Sequence, residues 1–361
     1  MVEVRHGPLA GVRIVEFDSA GPAPFAAMLL ADMGADVVRI RREGPDGSMI
    51  APMLYRGRSE VPLNLTSVAG RERALSLIAH ADGVIEGFRK GVAEQIGLDP
   101  SRCLAVNPRL VYARVSGWGQ EGPLSGTAGN DLNHLAITGA LHAIGGASMP
   151  AVPLNLLGEY AGGAMFLALG LVSAILAAQA TGRGQVVEAA QVDGTAALMT
   201  VYYALHGSGR WADTRTSNLI DGGAPFYRCY ACADGRHVAV GALEPPCFEA
   251  LCAGLQLPLG SFRQYDRATW PDMTESFAAA FAARSRDDWA AHFEGTEACV
   301  TPVLSLSEAP SHPHNRARDN FGTPLGGPIQ PMPAPRFSAT PAQAAPAEET
   351  TAEAVLERWG G

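Results

Sequence analysis

Up to about residue 120 the chain alternates short apolar runs with longer amphipathic stretches. Residues 11–17 (GVRIVEF), 36–40 (DVVRI), 83–88 and 110–116 have the length and β-branched content of buried strands, and 61–65 is a weaker fifth candidate. Residues 25–33 and 71–81 carry helical spacing between them. Strands alternating with helices predict parallel pairing with right-handed crossovers, which makes this part an open α/β sheet.

From 129 to 180 the pattern is mostly helical. A short strand is expected at 186–190, a helix at 192–205 and a turn-rich loop at 207–224. A second α/β-like unit follows, with apolar runs at 226–232 and 237–243 around Asp234-Gly235, then a helix at 247–255. Asp-Gly between two such runs is a hairpin signal. Residues 310–350 are rich in Pro, Ala and Gly and read as an extended wrapping segment, closed by a short helix at 351–359. The uncharged stretch from 160 to 181 is long enough to span a bilayer, but a lone Gly/Ala-rich segment within a globular pattern predicts a buried helix, with no membrane partner.

Composition narrows the function classes. The 361 residues are 47% hydrophobic and 17% charged, enough for a core and for two or three domains. The net charge of -9 argues against nucleic acid, which needs a basic face. The N-terminus lacks a secretory apolar region, so a cytoplasmic protein with reduced thiols is expected. Cys229 and Cys232 have the spacing of half a zinc site, but no second pair matches it; no metal is expected.

In open α/β sheets ligands sit at the carboxyl ends of the strands. Those ends carry Asp18, the pair Arg41-Arg42, the pair Arg89-Lys90 and Trp118. The loop after the first strand holds no G-x-G-x-x-G and no P-loop, so a dinucleotide is not indicated. Two basic pairs at strand ends suit a ligand with several phosphates. Three acids are candidates for chemistry. Asp131 follows Gly129-Asn130 at a helix start, where capping alone explains Asn or Asp. Glu159 opens the long apolar helix among Gly158, Gly162 and Gly163, and is the only acid between Asp131 and Glu188. Glu244 ends a strand just before Pro245-Pro246.

The stretches GPLAGVRIVEF, ADMGADVVRI, IEGFRKGVAEQIGL, NPRLVYARVSGWGQEGP, GALHAIG, VPLNLLGEYAGG, GRGQVVEAAQVDG, LIDGGAPFY, CADGRHVAVGALEP, ACVTPVL and PMPAPRFS occur in this order. Together they resemble the α-methylacyl-CoA racemase branch of the family III CoA-transferase superfamily, over nearly the whole chain. The resemblance implies a Rossmann-like large domain, residues 1–185 completed by 318–361. It also implies a small α/β domain at 225–300, linkers at 186–224 and 301–317, and an obligate, interlocked homodimer. The active site then lies between the large domain of one subunit and the small domain of the other. The substrate is an acyl-CoA thioester, and no cofactor is implied beyond the coenzyme A it carries.

Such racemases exchange the α-proton beside the thioester through an enolate, with a His in a G-H-D motif and an Asp in a G-D motif as the two bases. Here those motifs read Gly129-Asn130-Asp131 and Gly158-Glu159. The resemblance assigns Glu159, Asp131, Asn130 and Glu244 to catalysis, and Arg42, Arg89 and Lys90 to the coenzyme. Asn130 cannot exchange a proton at neutral pH but can donate a hydrogen bond to an enolate oxygen. His134, one turn away at about 5 Å, is a displaced acid or a packing residue. The usual acidic–Leu–Lys element is Asn64-Leu65-Thr66, which loses a basic group. Three readings stay open: a racemase or isomerase variant working with one base, a CoA-transferase with Glu159 as nucleophile, and a non-catalytic relative. The loops around 50–57 and 207–224, expected to meet the acyl group, carry no readable specificity code.

Overall fold

The computed structural model describes residues 6–44 and 51–360. These divide into two compact units. The first comprises Met1–Thr138, Pro153–Met199 and Pro313–Gly361; the second comprises Gly139–Val152 and Thr200–His312.

The first unit is built on a sheet of seven strands: β1 (Arg13–Phe17), β2 (Asp36–Arg41), β3 (Arg58–Pro62), β4 (Gly83–Glu86), β5 (Val111–Ser116), β6 (Gln185–Ala190) and a C-terminal strand, Glu348–Glu349. The spatial order is the C-terminal strand, then β3-β2-β1-β4-β5-β6, and every pair is parallel. This is the doubly wound arrangement expected from the sequence, with the tail adding an edge. Helices Pro22–Asp32 and Leu156–Thr181 cover one face, where Leu30, Val37, Ile85, Val111 and Leu171 are fully buried. On the other face Phe17, Ile40, Leu77 and Tyr112 pack with Val355 and Trp359 of the C-terminal helix Ala352–Trp359.

Strand β3 begins three residues before the expected 61–65. The reason is physical: two of its first three residues, Arg58 and Glu60, are charged, and Arg58 is nevertheless buried. The side chains of Arg58 and Glu16 are both 0% exposed and pair at 2.9 Å. Charges continue across the sheet in register, with Glu16 beside Arg39, Arg39 beside Glu60, and Glu86 beside Arg114. Arg39 binds Asp18 and Glu60, each at 2.7 Å, and Arg114 binds Glu86 at 2.8 Å. Buried charges are tolerated only when paired in this way.

The long apolar helix is half-buried. Leu167, Leu171, Ile175 and Ala178 face the core, whereas Met165, Leu169 and Leu176 are exposed, as is Val186 on β6. The helix expected at 192–205 breaks at Met199 into Gln191–Leu198 and Thr200–Gly207.

The second unit holds a three-stranded antiparallel sheet of β7 (Tyr227–Ala231), β8 (His237–Gly241) and β9 (Val300–Pro302). The hairpin turns at Asp234-Gly235, with Gly235 at φ 74, as its sequence predicts. Phe226, Phe248, Phe277, Phe281 and Trp289 form an aromatic core beneath one face of the sheet. Cys229 is exposed and Cys232 buried, so the two thiols of the zinc-like spacing have different surroundings. Among the described residues no group of three or more His, Cys, Asp or Glu is arranged to hold a metal ion.

Candidate active site

Glu159 lies on the opening turns of the long helix, and those turns, Leu156–Met165, are wound as a π-helix. Such i→i+5 turns are rare and concentrate at functional sites. Tyr160 N–H donates to Asn155 O at 3.2 Å in that pattern. Close backbone approach makes the winding possible. A Cβ on Gly158 would stand 2.7 Å from Asp131 Oδ1, and one on Gly194 would stand 1.9 Å from Gly162 O.

The first N–H groups of any helix lack a partner inside it. Asp131 supplies one across the fold: its Oδ1 accepts the Glu159 N–H at 2.5 Å. Asp131 therefore serves the helix of Glu159 as well as opening its own, Asp131–Ala136. It is 9% exposed, and its second oxygen, Oδ2, is buried without a hydrogen-bond partner. On the Glu159 side chain, Oε1 accepts from Asn155 Nδ2 at 3.3 Å. Gly21, at φ 87 after β1, comes close to the same carboxylate: a Cβ there would lie 4.0 Å from Oε1. Phe25 stacks on Tyr160 with ring centroids 4.4 Å apart and completes that wall.

Burial raises the Glu159 pKa, the Asn155 hydrogen bond opposes that shift, and the Asp131 charge adds to it. A raised pKa makes the carboxylate a stronger base. A proton-abstraction rate limited by Glu159 therefore rises with pH, with its midpoint above the usual glutamate range. Asp131→Asn keeps an acceptor for the N–H and removes the like charge, so the midpoint moves down. Initial rates across acidic buffers check this; a midpoint that moved up would count against the pairing.

Asn130 is exposed, with extended backbone (φ -121, ψ 174) as the residue before the helix, and its N–H donates to Asn133 Oδ1 at 3.1 Å. His134 is 2% exposed, and its Nδ1 meets Gln191 Oε1 at 2.8 Å. Its ring packs edge-on to Trp118 with centroids 4.5 Å apart, and Nε2 fills the space a Cβ on Gly117 would need. Burial lowers its pKa, against the Gln191 hydrogen bond and the Asp131 charge, which raise it.

The ends of β1 to β4 frame a cavity of about 530 Å³, lined among others by Asp18, Arg42, Asn64, Thr66, Phe88 and Ile96. Arg42 is exposed at its edge. Arg89 and Lys90 follow β4 without lining it: Arg89 is exposed, and Lys90 Nζ donates to Gln120 O at 2.6 Å and Ser125 Oγ at 2.9 Å. Glu244 belongs to the second unit, where it is exposed and precedes the helix Pro245–Gly254. Its neighbour Leu243 O accepts from Gln264 Nε2 at 2.8 Å and Tyr265 Oη at 2.7 Å.

Of the two loops expected to meet an acyl group, residue 50 lies outside the described residues. Arg56 is buried against Asp32, with Nε to Oδ1 at 2.9 Å. In the other loop Asn218 is 1% exposed and is knitted to Asp221 at 2.8 Å. Asn155 and Gln191 went unread in the sequence. An Asn at a helix start, four residues ahead of a Glu, is a readable side-chain pair and could have flagged Asn155; Gln191 carries no comparable local signal.

The profile of CoA-transferase family III matches residues 9–351. The chain is 43% identical over 336 residues to the α-methylacyl-CoA racemase of Mus musculus and 41% identical over 336 residues to that of Homo sapiens. Each alignment covers 92% of this chain and 87% of the relative. A CAIB/BAIF family protein from Brucella suis superposes with a TM-score of 0.82 at 21% identity, covering 99% of both chains, a likeness of fold.

Proposed function

This chain belongs to CoA-transferase family III, and from that premise we propose an acyl-CoA-acting isomerase of the α-methylacyl-CoA racemase kind, with Glu159 as base. The observation that carries the reading is the half-buried Glu159 carboxylate, raised in pKa by burial, with Asn155 Nδ2 donating to it and Asp131 Oδ1 accepting the backbone N–H of the same residue. The similarity to two racemases over 92% of the chain supports the substrate class.

In this reading Glu159 takes the α-proton of the acyl group. The C–H electron pair moves into the C–C bond, and the thioester C=O pair moves onto oxygen to give the enolate. Reprotonation at the α-carbon ends the cycle. Asn130 offers its side-chain N–H groups to the enolate oxygen in place of a second base. With a single carboxylate base, exchange with retention outpaces inversion. Arg42, beside the 530 Å³ cavity, meets coenzyme A phosphate, with Arg89 as a second charge.

Met165, Leu169, Leu176 and Val186 leave an apolar stripe exposed on the first unit. A second copy of the chain is the proposed occupant, and the resemblance places Glu244 in an assisting role in the dimer. A cytoplasmic location belongs to the same reading.

The deciding experiment incubates the enzyme with a 2-methylacyl-CoA in deuterium oxide. Deuterium at the α-carbon with inversion supports two-base racemisation, and deuterium with retention supports the one-base form. No exchange, together with a trapped glutamyl-CoA thioester at Glu159, replaces the proposal with CoA transfer, in which the same carboxylate is the nucleophile. Arg42→Ala is expected to raise KM about tenfold with kcat nearly unchanged, since a phosphate contact binds ground and transition states alike. Steady-state kinetics check that split.

A further inference from the structure

The two helices that carry Asp131 and Glu159 rest on a third. Gln191 opens the helix Gln191–Leu198 straight after β6, and the Val192 N–H ties that start to Gly117 O, just beyond β5, at 3.2 Å. Gln191 is 6% exposed, and its side chain meets both acid-bearing helices. On one side its Oε1 holds His134 Nδ1 at 2.8 Å, one turn after Asp131 on the helix Asp131–Ala136. On the other, its Cγ would stand 3.0 Å from a Cβ on Gly163, in the π-wound turns of Glu159. Gly162 leaves room of the same kind: a Cβ there would lie 3.0 Å from Gln191 O and 2.6 Å from Thr195 Oγ1. The turns that carry Glu159 are therefore seated on the first turn of the Gln191 helix.

The residue type is informative. Burying a primary amide costs free energy that an apolar side chain of similar size avoids, unless the amide is hydrogen-bonded. An amide oxygen only accepts, so His134 Nδ1 carries the ring proton, and the imidazole is held in one tautomer and one orientation. His134 is buried and packs edge-on to Trp118, so this bond forms away from water, where it is strong.

We propose that Gln191 is a positioning residue for the Glu159 base, fixing Asp131 through His134 and the turns of Glu159 by direct packing. With the His134 bond made, the helix Asp131–Ala136 is docked in one place, and Asp131 Oδ1 is presented to the Glu159 N–H, where the two meet at 2.5 Å. Without that bond the Asp131 helix shifts, the Glu159 N–H loses its acceptor part of the time, and the turn that aims the carboxylate loosens. A misaimed base costs rate and not affinity, because the ground state makes no use of it. The rate part of this inference rests on the proposed acyl-CoA function; the docking of the three helices does not.

The test compares three variants of the full chain. Gln191→Leu keeps the bulk and removes the acceptor, His134→Phe keeps a ring against Trp118 and removes the donor, and Gln191→Glu restores an acceptor. Amide hydrogen exchange read by mass spectrometry should speed about tenfold in a peptide spanning 156–165 in the first two variants. It should return towards native in Gln191→Glu, and a peptide covering β8 in the second unit should not change in any of them. Deuterium incorporation into a 2-methylacyl-CoA should fall about tenfold in kcat in the leucine and phenylalanine variants, with KM nearly constant. In the Glu159→Gln background Gln191→Leu should cost nothing further, since a residue that acts through Glu159 has nothing left to act on. The same loss in both backgrounds overturns the positioning role, and so does native amide exchange at 156–165. Gln191→Glu as loose as Gln191→Leu overturns the part given to the acceptor. Should either the leucine or the phenylalanine variant fail to fold, the other carries the same measurements. Faster amide exchange at 156–165 in variants of a protein that leaves the α-proton in place keeps the positioning and removes the proposed function instead.

Discussion

Glu159→Gln is expected to lower α-proton exchange by about 10²- to 10⁴-fold, the range a positioned general base supplies. The substitution is nearly isosteric. The backbone N–H of residue 159 still donates to Asp131 Oδ1, so the π-helix and its contact with the Asp131–Ala136 helix should persist. The loss should fall on kcat and on kcat/KM together with little change in KM, the pattern of a group that acts in the transition state. Glu159→Asp keeps a carboxylate but draws it back by one methylene from Asn155 and Gly21, and should retain part of the rate. Asn130→His is the informative companion. An exposed residue ahead of the helix tolerates an imidazole, and a gain of inversion over retention would show that the rest of the site accepts a second base. Full activity in Glu159→Gln would remove Glu159 from the mechanism, and both the isomerase and the transferase readings with it.

The reasons this site was only partly legible lie in where its partners come from. Motif order identifies the family, and helix-start chemistry marks Asn130, Asp131 and Glu159. The bond that joins two of them links residues 28 apart in sequence, and no local spacing encodes it. The π-winding is equally silent, since the glycines that allow it look like ordinary turn residues until Asp131 and helix Gln191–Leu198 are seen against them. Strands β1, β2, β4 and β5 announce themselves by β-branched runs buried on both faces. Strand β3 does not, because Arg58 and Glu60 read as solvent positions. Only the register that sets Glu16, Arg39 and Glu60 side by side explains their burial. Lys90 shows the converse. It stands at a strand end as a phosphate ligand would, and the fold gives its ammonium two oxygens of a neighbouring loop.

That buried register makes Arg58→Met the most damaging single change for stability, at about 3–5 kcal/mol. Arg58 is 1% exposed. Its guanidinium holds Glu16 at 2.9 Å and donates to the carbonyls of Pro24 and Leu54. Methionine fills much of the space but leaves the Glu16 carboxylate without its nearest cation and two carbonyls without a donor. Burial already raises the Glu16 pKa, with Arg58 the chief opposing influence. Removing Arg58 raises it further, which fixes the sign of the pH dependence. At a pH below the usual carboxylate range Glu16 is protonated in the folded and unfolded states alike, and its part of the penalty vanishes. As pH climbs, the unfolded chain ionises first, and stability falls until the folded-state pKa is passed. The denaturant midpoint of Arg58→Met should therefore drop further below the native one at neutral pH than at acidic pH. Glu16→Leu combined with Arg58→Met removes both charges from the interior and should recover part of the loss, because a buried ion pair often gives way to apolar residues at small cost. A double variant less stable than Arg58→Met alone would mean that Glu16 has a role in the sheet beyond its pairing with Arg58.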